Sequence, residues 1–263
     1  MFAPGIVSVR EDFEHSAAVF SPDGREVFWC SNVDHYTEHP GERLQRLQRL
    51  YHMRRIDDVW TAPEVAPFAR DFTQPVSRPV FSPDGNRLYF ESSRIATMES
   101  DADIYMVERE GAGWSDPVPV SPRINSQAME RIHCVTADGS MYFTRDLMTS
   151  REAVFVSRFV DGAFTAPEKL GEDFDSDAME FAIVLAADES YMLIASSRTG
   201  REDELHVSYR EPDGTWTERV KTRYQCGGFL ALSPDGEYLF FLGDGIFWVD
   251  TSFVDELKPE RLR

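Results

Sequence analysis

The sequence predicts an all-β fold: a five-bladed β-propeller of four-stranded antiparallel blades, its last blade closed by the N-terminal strand. Three observations predict it. A Ser-Pro-Asp-Gly turn, intact or degenerate, recurs five times along 263 residues. Each copy leads into a strand rich in aromatic and aliphatic residues. A second hairpin then follows, and in most copies its last strand opens on an aromatic residue. Short strands repeating with a period of roughly 50 residues are what propeller blades look like in sequence.

The turns come first. They are Ser21-Pro22-Asp23-Gly24, Ser82-Pro83-Asp84-Gly85, Thr136-Ala137-Asp138-Gly139, Ala186-Ala187-Asp188-Glu189 and Ser233-Pro234-Asp235-Gly236, with the aspartates at intervals of 61, 54, 50 and 47 residues. Proline presets a turn torsion, aspartate bonds the turn's own backbone, and glycine accepts a positive φ. The fourth copy carries Glu189 where the turn wants glycine, so its geometry is expected to differ. An apolar residue precedes each turn (Phe20, Phe81, Val135, Leu185, Leu232). The strands that follow are Val27-Phe28-Trp29, Leu88-Tyr89-Phe90, Met141-Tyr142-Phe143, Met192-Leu193-Ile194 and Leu239-Phe240-Phe241.

The third strands read Asp103-Ile104-Tyr105-Met106-Val107, Val154-Phe155-Val156, Leu205-His206-Val207 and Ile246-Phe247-Trp248-Val249. The fourth open on Trp60, Trp114, Phe164 and Trp216, and in three units a proline stands three residues on (Pro63, Pro117, Pro167). Proline costs no ladder bond on an edge strand, so this strand is expected on the outside. The blades fall at about 10–69, 70–123, 124–171, 172–223, and 224–250 with 1–9. The last assignment follows because the fifth unit lacks its fourth strand, while Phe2-Ala3-Pro4-Gly5-Ile6-Val7 has a similar text ahead of the first unit. The tail from Phe253 reads as an appendage with one helical turn at Val254–Leu257. An insertion from Asp34 to Gln48, with His35, Tyr36, His39 and Pro40, reads as a long loop or short helix projecting from one face.

Composition narrows the function. Forty-six acidic against 27 basic residues give a net charge of −19, which repels nucleic acid and anionic membrane surfaces. No apolar run is long enough to span a membrane. No basic-then-apolar leader opens the sequence, so it is expected in the cytoplasm as written, and in the periplasm if a leader was trimmed. Cys30, Cys134 and Cys226 show no metal spacing and read as buried free thiols. A monomer is expected.

The repeated Phe-Ser-Pro-Asp-Gly, followed by Leu-Tyr-Phe and Asp-Ile-Tyr, resembles the WD-like propeller repeats of TolB-type proteins. The closing text Ile246–Asp250 and Glu256-Leu257-Lys258-Pro259 is similar to the end of such domains. The resemblance covers nearly the whole chain. It implies the fold, and it implies binding functions as diverse as scaffolding and peptidase association.

Innermost strands surround a propeller's channel. In each blade the innermost strand should lead into the Ser-Pro-Asp-Gly turn, and its first residues should form a channel mouth. The candidates there are Glu14, His15, Arg78, Glu130, Arg131, His133 and Glu180. Glu14, Glu130 and Glu180 recur in similar register, which suits a structural bond at a strand start. Arg94, Arg145 and Arg198, after the second strands, are candidates for the same rim and could clamp a carboxylate by bidentate bonds. Two readings stay open. One is a binding module for a small polar ligand, a glycan or a protein. The other is a glycan-acting hydrolase, glycosidase or sialidase-like, using two mouth carboxylates, although the sialidase Ser-x-Asp-x-Gly-x-x-Trp text is absent. No cofactor is called for, and no resident metal; calcium or another divalent cation at His15, His133 and the glutamates is the one cation site the sequence suggests.

Overall fold

The structure, a computed structural model, describes residues 1–4, 6–8, 16–34, 46–70, 75–92, 102–146, 152–170, 179–197, 204–226 and 229–263, with backbone alone at 32–34, 46, 47, 146, 152, 179–181 and 197. Five antiparallel sheets follow one another along the chain. The first holds β1 (Val19–Phe20), β2 (Glu26–Asp34) and β3 (Arg46–Ile56), with β4 (Val59–Trp60) and β5 (Glu64–Val65) both pairing β3. The second holds β6 (Val76–Phe81), β7 (Arg87–Ser92) and β8 (Asp103–Glu110), with β9 (Gly113–Trp114) and β10 (Val118–Pro119) on β8. The third holds β11 (Glu130–Val135), β12 (Met141–Asp146) and β13 (Glu152–Ser157). Beside it stands a small hairpin of β14 (Phe159–Val160) and β15 (Ala163–Phe164), and β16 (Glu168–Lys169) is outermost. The fourth runs β17 (Met179–Leu185), β18 (Tyr191–Ser197), β19 (Glu204–Tyr209) and β20 (Val220–Lys221). The fifth has three strands, β21 (Leu230–Leu232), β22 (Tyr238–Leu242) and β23 (Ile246–Asp250).

The turns form as their residues dictate. In each of the four Ser/Thr copies the hydroxyl donates to the aspartate two residues on, at 2.5–2.7 Å, and that carboxylate accepts the backbone N–H of the residue just before the next strand. Gly24, Gly85, Gly139 and Gly236 take φ of +66°, +71°, +83° and +74°. The fourth copy makes the same turn despite its sequence: the Glu189 N–H donates to Ala186 O at 2.9 Å, and Glu189 is forced to φ +56°, a conformation that costs a side-chain-bearing residue of order 1 kcal/mol.

The outer strand comes in two pieces. Trp60, Trp114 and Phe164 pair with the end of the preceding strand, and the segment after Pro63, Pro117 or Pro167 pairs again further along the blade. Proline sits in the break, where no N–H is needed.

Among the described residues the core divides into five clusters, each a wedge between neighbouring blades. On β2, Phe28 and Cys30 face the second blade, and Val27 and Trp29 face the fifth. On β18, Met192 and Ile194 face the third blade, and Leu193 and Ala195 the fifth. Second strands are thus apolar on both faces, which is why they read as unbroken apolar runs. The cluster shared by blades five and one, with Val7, Val27, Phe240 and Ile246, closes the ring.

The N-terminal segment reaches the last blade as expected, in a compact form. The Phe2 N–H donates to Ile246 O at 2.6 Å, and the Ile246 N–H donates to Ser8 Oγ at 3.0 Å. Val7 and Ser8 fold back on Ala3 O, so the segment satisfies Ile246 from both sides without forming a ladder. The tail is no appendage. Helix α1 (Ser252–Leu257) buries Phe253 and Val254 in the wedge between blades four and five, and the Tyr209 hydroxyl donates to Val254 O at 2.6 Å. The flanks of the first-blade insertion continue the β2–β3 hairpin to Asp34 and Arg46; His35, Tyr36, His39 and Pro40 lie outside the described residues. No helix among the described residues is long and apolar enough to cross a membrane.

Candidate functional site

The innermost strands carry irregularities at one height. Register shifts fall between Ser77 and Val80, between Ile132 and Cys134, and between Glu180 and Ala182. A bulge re-aims the side chain it adds. In blades two and three those side chains include Arg78, held at φ +51°, and His133.

Arg78 reaches across the channel at the strand-start end. Its guanidinium lies 4.3 Å from the centre of the Phe229 ring, and its Nε is 3.3 Å from the buried Glu91 carboxylate. Arg78 belongs to blade two and Phe229 leads into blade five. These blades are not neighbours, so the contact can only be made across the channel. It leaves a cavity of about 20 Å³ lined by Ser16, Arg78, Ile132, His133, Ala182 and Phe229 among others, room for about one water.

Among the described residues the wide end is the opposite one. A funnel of about 540 Å³ opens between the Ser-Pro-Asp-Gly turns, with walls of Val19, Val80, Val135, Val184, Leu185 and Leu230. That volume is in the range of small-molecule and peptide pockets. The funnel and the small cavity share Val19, Pro79, Val80, His133 and Leu230, so His133 stands at the waist. It is buried, and neither ring nitrogen has a hydrogen-bond partner. Burial first, then the positive charges of Arg78 and Arg131, hold its pKa well below the ordinary histidine value, so the ring is neutral and can accept or donate one bond.

The charged residues lining the funnel are Asp188, Asp235 and Asp255. Asp235 is committed to its turn. Asp188 is likewise held by Ser190, which together with the nearby Lys258 depresses its pKa. The Asp255 carboxylate, exposed on α1, makes no hydrogen bond or ion pair among the described residues, while its backbone carbonyl accepts the Lys258 N–H.

The other sequence candidates scatter. Glu130 is fully buried. Its carboxylate accepts from Ser126 N at 3.1 Å, Ser126 Oγ at 2.5 Å and Arg145 Nε at 2.8 Å. Burial raises its pKa, against the opposing pull of those three donors. Arg145 also donates to Ile124 O at 2.6 Å. This pair spans β11 and β12 in register and braces the blade. Arg131 lies on β11 beside His133. Glu180 is described by backbone alone, paired with Ser196. Glu14, His15, Arg94 and Arg198 lie outside the described residues. Among the described residues no group of His, Cys, Asp and Glu is placed to hold a metal ion. All three cysteines are buried and free, and burial pushes the Cys30 and Cys134 thiols up to about 12. The residues missed in the sequence are Asp255, in the supposed appendage, and the apolar funnel walls. The one available signal was the side chain just before each turn.

The ring of sheets and its central funnel define a five-bladed β-propeller. No family model matches the sequence, and no curated protein sequence matches it. Solved structures do match. A putative TolB from Agrobacterium tumefaciens has a TM-score of 0.55 at 14% identity, over 90% of this chain and 76% of that one. TolB from Acinetobacter baumannii gives 0.52 at 14% identity, over 91% and 52%. Prolyl oligopeptidase B from Galerina marginata, bound to a 35mer substrate, gives 0.51 at 16% identity, over 95% and 34%. The chain spans about half the length of the Acinetobacter TolB and about a third of that peptidase. At these identities the likeness is one of fold, and the chain is a TolB-like propeller in that sense.

Proposed function

We propose that this chain is a binding module whose ligand seats in the funnel at the turn face of the channel. One observation carries the reading: the two ends of the channel differ, one spanned by Arg78 on Phe229 and the other open to about 540 Å³ with apolar walls. The hydrolase reading gains no such support. Glu130 is fully buried with both oxygens bonded, so it has no free face for a sugar.

Thermal shift with a panel of amines, acids, neutral sugars and short peptides tests the proposal on the full chain. A ligand that binds only the folded protein stabilises it by about 2.7 kcal/mol at a hundredfold excess over Kd. Ala187→Trp, on the exposed funnel rim, is expected to abolish the shift without lowering the Tm of the free protein. A ligand whose shift survives that substitution unchanged binds elsewhere, and the proposal falls.

A further inference from the structure

We propose that the funnel selects a protonated amine carried on an apolar body, with the amine at the Asp255 rim and a hydrogen-bonding group at His133 on the floor. This rests on the funnel being the ligand site and adds the class of ligand.

Two independent observations point to it. The first is charge: Asp188, Asp235 and Asp255 line the funnel and, among the described residues, no lysine or arginine does. Asp188 and Asp235 each commit Oδ1 to their turns, whereas the Asp255 carboxylate carries no such bond among the described residues and has both oxygens open to an incoming donor. The second is His133. It is 94% buried (6% exposed), it lines the funnel floor, and both ring nitrogens lack a partner. A buried polar group left unmatched costs about 1–3 kcal/mol, and a ligand that supplies the missing bond recovers it. The orientation follows from where the charges stand: the carboxylates line the funnel at its rim, whereas the charged neighbours of His133 are Arg78 and Arg131, Arg78 being paired with Glu91. Between rim and floor the walls are Val, Leu and Ala, which match an apolar body. The net charge of −19 adds long-range attraction for cations.

The shared chemistry can come from a free aryl- or alkylamine or from a lysine side chain in a peptide. Titration calorimetry on the full chain at low salt tests the proposal with tyramine as probe. Phenethylamine lacks the hydroxyl, 4-ethylphenol lacks the amine, and 4-hydroxyphenylacetate carries a carboxylate. Acetyl-Leu-Lys-amide is the peptide arm. Tyramine is expected to bind, with the phenol and the acid at least about tenfold weaker, the scale of one charge-assisted bond. Asp255→Asn should lose about tenfold for tyramine, and Asp255→Glu should restore it. His133→Leu should erase the advantage of tyramine over phenethylamine. Tighter binding of the peptide than of tyramine assigns a peptide lysine, and the reverse a free amine.

Absence of tyramine and peptide binding at millimolar concentration overturns the amine class. So does a phenol or acid that binds as well as tyramine, or a tyramine affinity that Asp255→Asn leaves unchanged. If Ala187→Trp removes binding of that phenol or acid, the funnel stands as a ligand site and only the amine class falls. If Ala187→Trp leaves every affinity unchanged, both readings fall.

Discussion

His133 and Glu130 stand three residues apart on one strand and have opposite fates. Glu130 is buried with a full set of partners: Ser126 twice and Arg145. His133 is buried with none. Recurrence in the sequence hinted at this division, because Glu14, Glu130 and Glu180 fit a repeated structural job whereas His133 breaks the pattern. The consequence for His133 is a pH dependence. Its folded pKa lies well below 6.5, through burial and then Arg78 and Arg131, while the unfolded chain titrates near 6.5. Between those values the unfolded state binds the extra proton. Stability from this residue is therefore fully present above about pH 6.5 and is lost as pH falls, by up to about 1.4 kcal/mol per unit. Urea unfolding of wild type and His133→Gln at pH 7.5 and 5.5 should show a smaller drop in the variant. Taking the difference cancels His52, whose pKa burial also lowers. Equal drops would mean that His133 is as readily protonated folded as unfolded.

At the scale of the element, the repeat was legible because its chemistry is local. A serine, a proline, an aspartate and a glycine make the turn with bonds spanning two to five residues, and no distant contact is needed to see it. The fourth copy shows the limit. Its backbone adopts the turn through Glu189 at φ +56°, because the strands on either side are locked into neighbouring blades. Helix α1 shows it from the other side. Six residues have no helical stability of their own, so the sequence reads as a tail, yet tertiary burial of Phe253 at 2% exposure fixes it. Phe253→Ala is expected to cost about 3–5 kcal/mol in denaturant unfolding. It should also weaken whatever binds in the funnel, since Val254 and Asp255 line it. A loss under 1 kcal/mol would make the tail the appendage its sequence suggests.

For the whole molecule the question is closure. Every wedge of core is shared between two blades, so no blade owns a core and unfolding should be cooperative around the ring. At the seam between blades five and one the Ser8 hydroxyl accepts from the Ile246 N–H, out of water. Ser8→Ala leaves that N–H without its acceptor, at about 1–3 kcal/mol. The expected result is one transition with an unchanged slope and a lower midpoint. Two separated transitions would show that blade five melts on its own and that the seam is not part of a single cooperative unit.

The sequence by itself determined the five-fold repeat, the order of strands within a blade, the position of proline at the outer edge and the apolar character of the second strands. Each of these rests on turn chemistry or on burial within a few residues of chain. Only the tertiary structure decided which end of the channel is open. That depends on Arg78 meeting Phe229, 151 positions away in the chain, on bulges that turn Arg78 and His133 to the same height, and on a C-terminal helix that brings Asp255 to the rim. Local patterns fix which way a strand's faces point, but a site at the axis of a ring is assembled from one or two residues of every blade. Their convergence is a property of the closed circle, which no single repeat contains.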